Sequence, residues 1–350
     1  MKSDDDRMNL LEVPNQKEYR VARQRAQRRH ELKAKIRLIK RVTLAGVIIG
    51  VGIYFFSQRY FQEFPVKAMP AFDQERIAEI VAEITRPLTY DEVTFAMHSE
   101  YALLVNISNG RTLFAHQADT RTYPASVTKI MTTLIGIENG DMDEQVTINV
   151  DFNALFATGA IQAGFGYGEV RTLEEVLHAI MLPSGAEATW ALANHVAGSY
   201  EGFVALMNEK ARALGMLETN FVTTTGLHDD LHYTTATDIA ILLEYALEIP
   251  EFRAIFTAKS YELATPNSLG SVMHSTLFAN AEQTTFTGGE IIGGRTGFTT
   301  PAGRCLASLA TNGVDEFILI TFGAPDYLEN QTAHILDALM IYEYFLSPMN

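Results

Sequence analysis

The most informative stretch of this chain lies at residues 123–129 and reads Tyr-Pro-Ala-Ser-Val-Thr-Lys. It places Ser126 and Lys129 three residues apart at the predicted start of a helix, where side chains at i and i+3 share one face. A serine hydroxyl becomes a good nucleophile when a nearby group takes its proton, and a neutral lysine amine can do so. A Ser-x-x-Lys sequence arises by chance about once in a chain of this length, so its meaning depends on what accompanies it.

Working outward, two predicted β-hairpins frame the region beyond residue 100. Residues 101–107 and 112–116 are apolar runs around Asn109-Gly110, a tight-turn signal, and residues 305–310 and 317–322 flank Asn312-Gly313 in the same way. Helices are predicted at 126–140, 172–182, 187–198, 236–247 and 333–345. We therefore predict an α+β fold, in which strands from both ends of the domain form an antiparallel sheet flanked by helices, beside a helical lobe.

Two further motifs follow Ser126 in chain order. Ser184-Gly185-Ala186 lies on the predicted turn between two helices, and Arg295-Thr296-Gly297 lies just before the second hairpin, in a predicted strand. Ser-x-x-Lys, Ser-Asp-Asn and Lys-Thr-Gly together form the signature of penicillin-binding proteins and class A β-lactamases. The order and the predicted contexts of the three motifs in this chain match that signature.

With these motifs in view, the chain resembles the serine-type D-alanyl-D-alanine carboxypeptidases, the low-molecular-mass penicillin-binding proteins of peptidase family S11. The resemblance covers roughly residues 95–350 and extends beyond the three motifs. It includes residues 164–169 with 174–177, and residues 225–228 with 232–238. Class A β-lactamases match less well, because we find no counterpart of their deacylating glutamate loop. The resemblance implies a β-lactamase/transpeptidase-like fold.

The resemblance also implies the roles of the site residues. Ser126 would be the nucleophile that forms an acyl-ester, Lys129 its general base and Ser184 a proton relay. Arg295 and Thr296 would bind the terminal carboxylate of a peptidoglycan stem peptide that ends in D-Ala-D-Ala. Gly297 and Phe298 would complete the substrate-binding strand, with the backbone N–H groups of Ser126 and Phe298 as the oxyanion hole. β-Lactam antibiotics would acylate the same serine, and no metal or cofactor is expected.

Two residues depart from the family pattern. Ala186 stands where the second motif usually has Asn, and Arg295 stands where the third motif usually has Lys. Ala cannot replace the amide, although Glu187 or a water could. Arg keeps the charge and can bind a carboxylate with two donors, but it does not lose a proton readily. Two alternatives therefore stay open: a non-catalytic or weakly active homologue that binds the cell wall, and a β-lactamase.

The distribution of charge predicts where this chemistry takes place. The formal net charge is −15, yet residues 1–41 contain 13 basic and 6 acidic residues, so the remainder is strongly acidic. An acidic body argues against nucleic acid as a partner. The uncharged run Val42–Phe56 directly follows the basic arm, which predicts an uncleaved anchor in the cytoplasmic membrane, with the N-terminus in the cytoplasm and the rest outside. A cleaved signal peptide is the alternative, but the basic region is long for one.

The predicted organisation has four parts: a basic cytoplasmic arm at 1–41, a transmembrane anchor at 42–58, a tether with a short helix at 59–95, and a catalytic domain at 96–350. The single cysteine, Cys305, excludes an internal disulfide. His228 and His232 have a spacing that could hold a metal, but no third ligand is evident, and a structural role is favoured. Trp190 and Cys305 are predicted to be core residues.

Overall fold

A six-stranded antiparallel sheet forms the centre of the domain. The computed structural model describes residues 74–84, 97–326 and 331–347. The sheet has the order β2-β1-β10-β9-β8-β7. Its strands are β1 (Tyr101–Asn106), β2 (Arg111–His116), β7 (Thr285–Phe286), β8 (Gly289–Thr299), β9 (Gly303–Thr311) and β10 (Glu316–Ala324). Two small hairpins lie outside it, made by β3 (Gln145–Thr147) with β4 (Val170–Thr172) and by β5 (Ser260–Asn267) with β6 (Gly270–His274).

Ten α-helices surround the sheet or build the lobe beside it in the described residues. They are α1 (Gln74–Ile84), α2 (Lys129–Asn139), α3 (Phe152–Ala157), α4 (Leu173–Met181), α5 (Ala186–Ala197), α6 (Tyr200–Ala213), α7 (Ala236–Leu247), α8 (Pro250–Thr257), α9 (Thr276–Asn280) and α10 (Ala333–Leu346). A short 3₁₀ helix, Ala125–Thr128, leads directly into α2.

The sheet separates two hydrophobic cores because side chains alternate along each strand. In β1, Leu103 and Val105 enter the larger core with the helical lobe, whereas Ala102 and Leu104 enter a smaller core with α10. The N-terminal strand pairs directly with β10 in antiparallel register, so both ends of the domain meet in one sheet. This confirms the predicted architecture.

The sequence predicted most of these elements close to their observed bounds. Both Asn-Gly hairpins are present, and Gly110 and Gly313 adopt the positive φ that such turns need. Thr172 and Glu175 cap each other's backbone N–H groups at the start of α4, where the helix at 172–182 was predicted to begin. Helices α3, α6, α8 and α9 and both small hairpins were not predicted individually. Trp190 is only partly buried against the core, whereas Cys305 is fully buried, as predicted.

The helix predicted within the tether packs into the domain. Ile77 and Ile80 of α1 belong to the larger core, and Arg76 donates from Nε to Glu248 Oε1, 2.6 Å away, just after α7. The predicted anchor and arm lie outside the described residues. In the part of the chain that the structure describes, no helix has both the length and the apolar character that crossing a membrane requires.

Candidate active site

The predicted nucleophile lies on a tight turn at the N-terminus of α2. Ser126 belongs to the 3₁₀ helix, and Lys129 is the first residue of α2, so the regular helix starts three residues later than predicted. Lys129 Nζ still lies 3.4 Å from Ser126 Oγ, at the long end of hydrogen-bond distance. Ala125 has a φ of 46°, a left-handed conformation that costs a non-glycine residue free energy. Such strain is typical of residues held in place for function.

The second motif brings another hydroxyl to the first. Ser184 lies on the turn between α4 and α5, and its Oγ is 3.3 Å from Ser126 Oγ. Its φ of 79° is also left-handed, and the side chain is buried. Gly185 has no room for a Cβ, which would lie 2.7 Å from the Cβ of Ala163. The turn is therefore fixed by strain and close packing, which keeps Ser184 beside the nucleophile.

Strand β8 carries the third motif against the nucleophile turn. A Cβ at Gly297 would lie 2.8 Å from the backbone nitrogen of Ser126, so only glycine lets the strand approach this closely. The Thr296 hydroxyl forms a 2.7 Å hydrogen bond with the hydroxyl of Thr276, and Phe298 is 40% exposed. The oxyanion hole predicted at the N–H groups of Ser126 and Phe298 stays a prediction.

Arg295 reaches across the site and is fully buried. Its Nη2 donates to Ser184 Oγ, and its Nε donates to the carbonyl of Ser126 at 3.2 Å. Its Nη1 donates to the carbonyls of Met181 at 2.8 Å and Leu182 at 3.5 Å. These bonds tie all three motifs together. They also engage most of the guanidinium, so the carboxylate-binding role predicted for Arg295 stays a prediction.

The electrostatic setting of Lys129 suits a base. Burial is the main cause that holds the pKa of Lys129 well below its ordinary value, and the Arg295 cation lowers it further, while Glu187 opposes them. Burial lowers the pKa of Arg295 to about 9, which leaves the guanidinium charged at neutral pH. Lys129 can therefore be neutral at a pH where Arg295 is a cation, and only a neutral amine can accept the proton of Ser126.

Glu187 lies next to Ala186 and is completely buried. Its Oε1 accepts three backbone N–H groups, from Ala163 at 2.7 Å, Gly164 at 2.8 Å and Phe165 at 3.1 Å. Burial raises the pKa of the carboxyl, and these hydrogen bonds oppose that shift. Its Oε2 has no hydrogen-bond partner among the described residues. Glu187 therefore anchors the loop 163–165 to α5.

The structure thus brings all the predicted site residues to one place, and it adds groups that were not predicted. The carbonyl of Thr225 accepts a 2.7 Å hydrogen bond from Lys129 Nζ, and His232 bonds Thr128. A backbone carbonyl leaves no signature in a sequence; only the likeness at residues 225–228 marked this segment. In the described residues, no group of three or more His, Cys, Asp and Glu side chains could hold a metal ion.

Comparison with known proteins shows which family this chain resembles. A family model described as D-alanyl-D-alanine carboxypeptidase matches residues 88–326. The D-alanyl-D-alanine carboxypeptidase DacF of Bacillus subtilis is 31% identical over 257 residues, which cover 69% of this chain and 62% of the relative. The D-alanyl-D-alanine carboxypeptidase of Streptomyces sp. strain K15 is 30% identical over 229 residues, covering 63% of this chain and 78% of the relative.

Solved structures agree in fold. The crystal structure of the Streptomyces K15 DD-transpeptidase aligns with a TM-score of 0.63 at 27% identity, covering 73% of this chain and 100% of that chain. A D-alanyl-D-alanine carboxypeptidase from Mycobacterium tuberculosis has the same fold, with a TM-score of 0.62 at 22% identity, over 75% of this chain and 97% of that one. The chain spans less than two thirds of the length of the Bacillus subtilis relative.

Proposed function

Because the chain belongs to the D-alanyl-D-alanine carboxypeptidase family, we propose that it is a serine D,D-carboxypeptidase that removes the terminal D-Ala of peptidoglycan stem peptides. The observation that carries this proposal is the contact of Ser126 Oγ with both Lys129 Nζ and Ser184 Oγ, at 3.4 and 3.3 Å. Nucleophile, base and relay are within hydrogen-bond reach before any substrate is bound, as such chemistry requires.

Acylation begins when Ser126 Oγ attacks the carbonyl carbon of the penultimate D-Ala. Neutral Lys129 takes the hydroxyl proton as the new C–O bond forms. The C–N bond then breaks, and the proton passes from Lys129 through the Ser184 hydroxyl to the departing amine of D-Ala. The helix N-terminus at Ser126 favours negative charge on the carbonyl oxygen during these steps. Water then attacks the ester with Lys129 again as the base, which releases the shortened peptide and restores Ser126.

The substrate-binding strand is β8. Thr296 and Phe298 lie on it, and Gly297 allows it to run beside Ser126. In this proposal the terminal carboxylate of the substrate binds at Thr296 and the remaining N–H of Arg295. A β-lactam presents a carbonyl and a carboxylate in a similar arrangement, so it would acylate Ser126 and its leaving nitrogen would stay attached through the ring.

A penicillin adduct tests the proposal. Incubation of the full chain with penicillin should raise its intact mass by one whole penicillin, and Ser126→Ala should abolish this increase because the attacking oxygen is gone. Ser108→Ala, a change on the distant β1–β2 turn, serves as the matched control and should still form the adduct. An unmodified wild-type mass, or an adduct that survives Ser126→Ala, would refute the proposal.

Ala186 favours a second candidate, a homologue that binds the wall but turns over slowly. The family's usual Asn amide is absent from this position, and Glu187 is engaged with the loop 163–165. Rapid release of D-Ala from a D-Ala-D-Ala peptide by the wild-type chain, over many turnovers per enzyme molecule, would eliminate this candidate. A β-lactamase would differ again, since it would release the penicilloyl group quickly instead of keeping a long-lived adduct.

The location proposed for the enzyme follows from the sequence of its N-terminal region. The basic residues 1–41 and the apolar run Val42–Phe56 support a single-pass anchor that leaves the catalytic domain outside the cytoplasmic membrane, where its substrate lies. In cells, protease added from outside should cleave the domain, and the chain should stay in the membrane fraction after an alkaline carbonate wash. A domain that is protected from protease, or a chain that the wash releases, contradicts this topology.

A further inference from the structure

The position of the Lys129 amine depends on a backbone carbonyl more than on the nucleophile. Lys129 Nζ donates to Thr225 O at 2.7 Å, whereas its distance to Ser126 Oγ is 3.4 Å. A hydrogen bond of 2.7 Å is short and restricts the amine, but one of 3.4 Å restricts it little. Whatever fixes the carbonyl of Thr225 therefore also fixes the direction in which Lys129 can take a proton.

The segment 222–226 that carries this carbonyl is neither helix nor strand. Two of its carbonyls accept from α2, since Thr132 Oγ1 donates to Thr224 O at 2.7 Å, one helix turn below Lys129. A Cβ at Gly226 would lie 1.8 Å from Ala125 O and 2.9 Å from Thr128 Oγ1, so the segment lies directly against the nucleophile turn. Without a regular ladder, the backbone N–H groups of this segment need side-chain partners.

One buried ring, His232, accepts two of these N–H groups, whereas Tyr200 Oη and Thr223 Oγ1 accept those of Thr224 and Gly226. The Nδ1 of His232 lies 3.0 Å from the backbone nitrogen of Val222 and 3.3 Å from that of Thr223, and its Nε2 lies 2.8 Å from Thr128 Oγ1. Because Nδ1 faces two N–H donors, it must be an acceptor, and the ring proton is on Nε2 and donates to Thr128. The imidazole thus joins the residue before Lys129 to the segment that aims Lys129.

We propose that His232 is a positioning residue for Lys129: its neutral imidazole sets the spacing between the nucleophile turn and the Thr225 carbonyl. This inference rests on the proposed function, in which Lys129 is the general base. His232 touches neither the nucleophile nor the substrate strand in any described contact, so its effect on the reaction passes through Lys129. A general base that is misplaced by about 1 Å can lose roughly 100-fold in rate.

Burial is the main reason that His232 is neutral in the working range of pH. Burial lowers the pKa of His232 to about 4; the nearby His228 and Lys129 side chains act in the same direction, and the Asp229 carboxylate opposes them. Asp229 also accepts the backbone N–H of His232 at 2.9 Å through its carbonyl. A proton on Nδ1 would point at the N–H groups of Val222 and Thr223. The repulsion between these donors would push the segment 222–226 away from the ring.

His232 links Thr128 on one side to the segment 222–226 on the other, and each of two substitutions removes one of these links. His232→Gln keeps an N–H group for Thr128 but places no acceptor at Val222 and Thr223, and Thr128→Val keeps the shape of Thr128 but removes the oxygen that accepts from His232. His178→Gln is the control, because His178 is also a buried imidazole, bonded to the carbonyl of Glu174 and stacked on Tyr261. It has no described contact with Lys129 or the segment 222–226.

The first measurement is the rate of acylation by penicillin, as a function of penicillin concentration and of pH, with the full chain. We expect His232→Gln and Thr128→Val to lower the rate at saturation about 10- to 100-fold, while the half-saturating concentration changes little. The rate falls at low pH as Lys129 becomes protonated, and we expect this acid limb of the pH profile to move to higher pH in both variants. The reason is that water admitted beside Lys129 would reduce its burial, and burial is the main cause of its low pKa. His178→Gln should lower the melting temperature without moving the limb.

The second measurement does not depend on activity. In protein labelled with ¹³C-lysine, Lys129 should titrate below the other lysines in the wild type, and its midpoint should rise by at least about one pH unit in both variants. An unchanged midpoint together with an unchanged saturating rate would overturn the inference and leave His232 a core histidine. A wild-type chain that forms no adduct would refute the proposed function alone, since the titration still tests His232.

Discussion

At the scale of single residues, Arg295 distinguishes this site from the family pattern. A lysine offers one point of charge, whereas the guanidinium contacts Ser184, the carbonyl of Ser126 and the end of α4 at the same time. Ala186, two residues after Ser184, provides no amide for Ser184 or Lys129. The guanidinium of Arg295 therefore holds the three motifs together through its hydrogen bonds. Its positive charge also lowers the pKa of Lys129, which favours the neutral amine.

Two substitutions of Arg295 should separate its geometry from its charge. Arg295→Lys keeps the cation but reaches fewer partners, so we expect acylation by penicillin to slow about 10-fold with the acid limb of the pH profile unchanged. Arg295→Met also removes the cation that lowers the pKa of Lys129, so its acid limb should move to higher pH. If the acid limb lies at the same pH in both variants, the charge of Arg295 does not lower the pKa of Lys129.

At the scale of elements, the positions of the proposed catalytic groups depend on how closely strand β8 and the irregular segment 222–226 approach the start of α2. Strand β8 approaches at Gly297, and the segment 222–226 approaches at Gly226, which has a φ of +82°. Neither position has space for a Cβ. The helices and strands bring β8 and the segment 222–226 near the start of α2. The two glycines then allow both backbones to come into direct contact with the turn at Ala125 and Ser126.

A matched pair of glycine substitutions tests this close approach. Gly226 and Gly159 both have positive φ, but a Cβ at Gly159 would meet nothing within 4 Å. Gly159→Ala should cost only the backbone strain, about 1–2 kcal/mol of unfolding free energy, with normal acylation. Gly226→Ala should cost clearly more in urea unfolding and should slow acylation by displacing the Thr225 carbonyl. Similar results for the two variants would mean that the segment 222–226 moves without consequence.

At the scale of the whole molecule, the domain buries several ionisable groups, and this ties its stability to pH. Burial lowers the pKa of both His232 and His334 to about 4, from an ordinary value of 6.5. The unfolded chain therefore binds more protons than the folded one between these values. The stability from the neutral rings is complete above about pH 6.5 and is lost as the pH falls towards 4.

Replacement of one of these rings should flatten the dependence of stability on pH. In the wild type, each such histidine makes the free energy of unfolding rise by up to about 1.4 kcal/mol per pH unit between pH 4 and 6.5. His334→Gln should reduce the slope by about that amount in urea unfolding, whereas His116→Gln, at an exposed position on β2, should change it less. An unchanged slope in His334→Gln would show that folding does not shift the pKa of His334.

The sequence by itself determined the α+β architecture, the two hairpins, most helix bounds and the identity of the three motifs. These features are local: Asn-Gly turns, side-chain periodicity and the Thr172 cap depend on residues a few positions apart, and each leaves a pattern in the sequence. The resemblance at the motifs added the expected roles of Ser126, Lys129 and Ser184, and all three side chains do lie together.

Only the tertiary structure decided what surrounds those residues. Arg295, whose role in binding the substrate carboxylate stays a prediction, lies buried among the three motifs, where four protein acceptors from two separate parts of the chain converge on it. The carbonyl of Thr225 and the ring of His232 act about 100 residues away from Lys129 in the chain. Contacts of this kind depend on the packing of distant segments and on backbone atoms that every residue shares, and no local pattern records them.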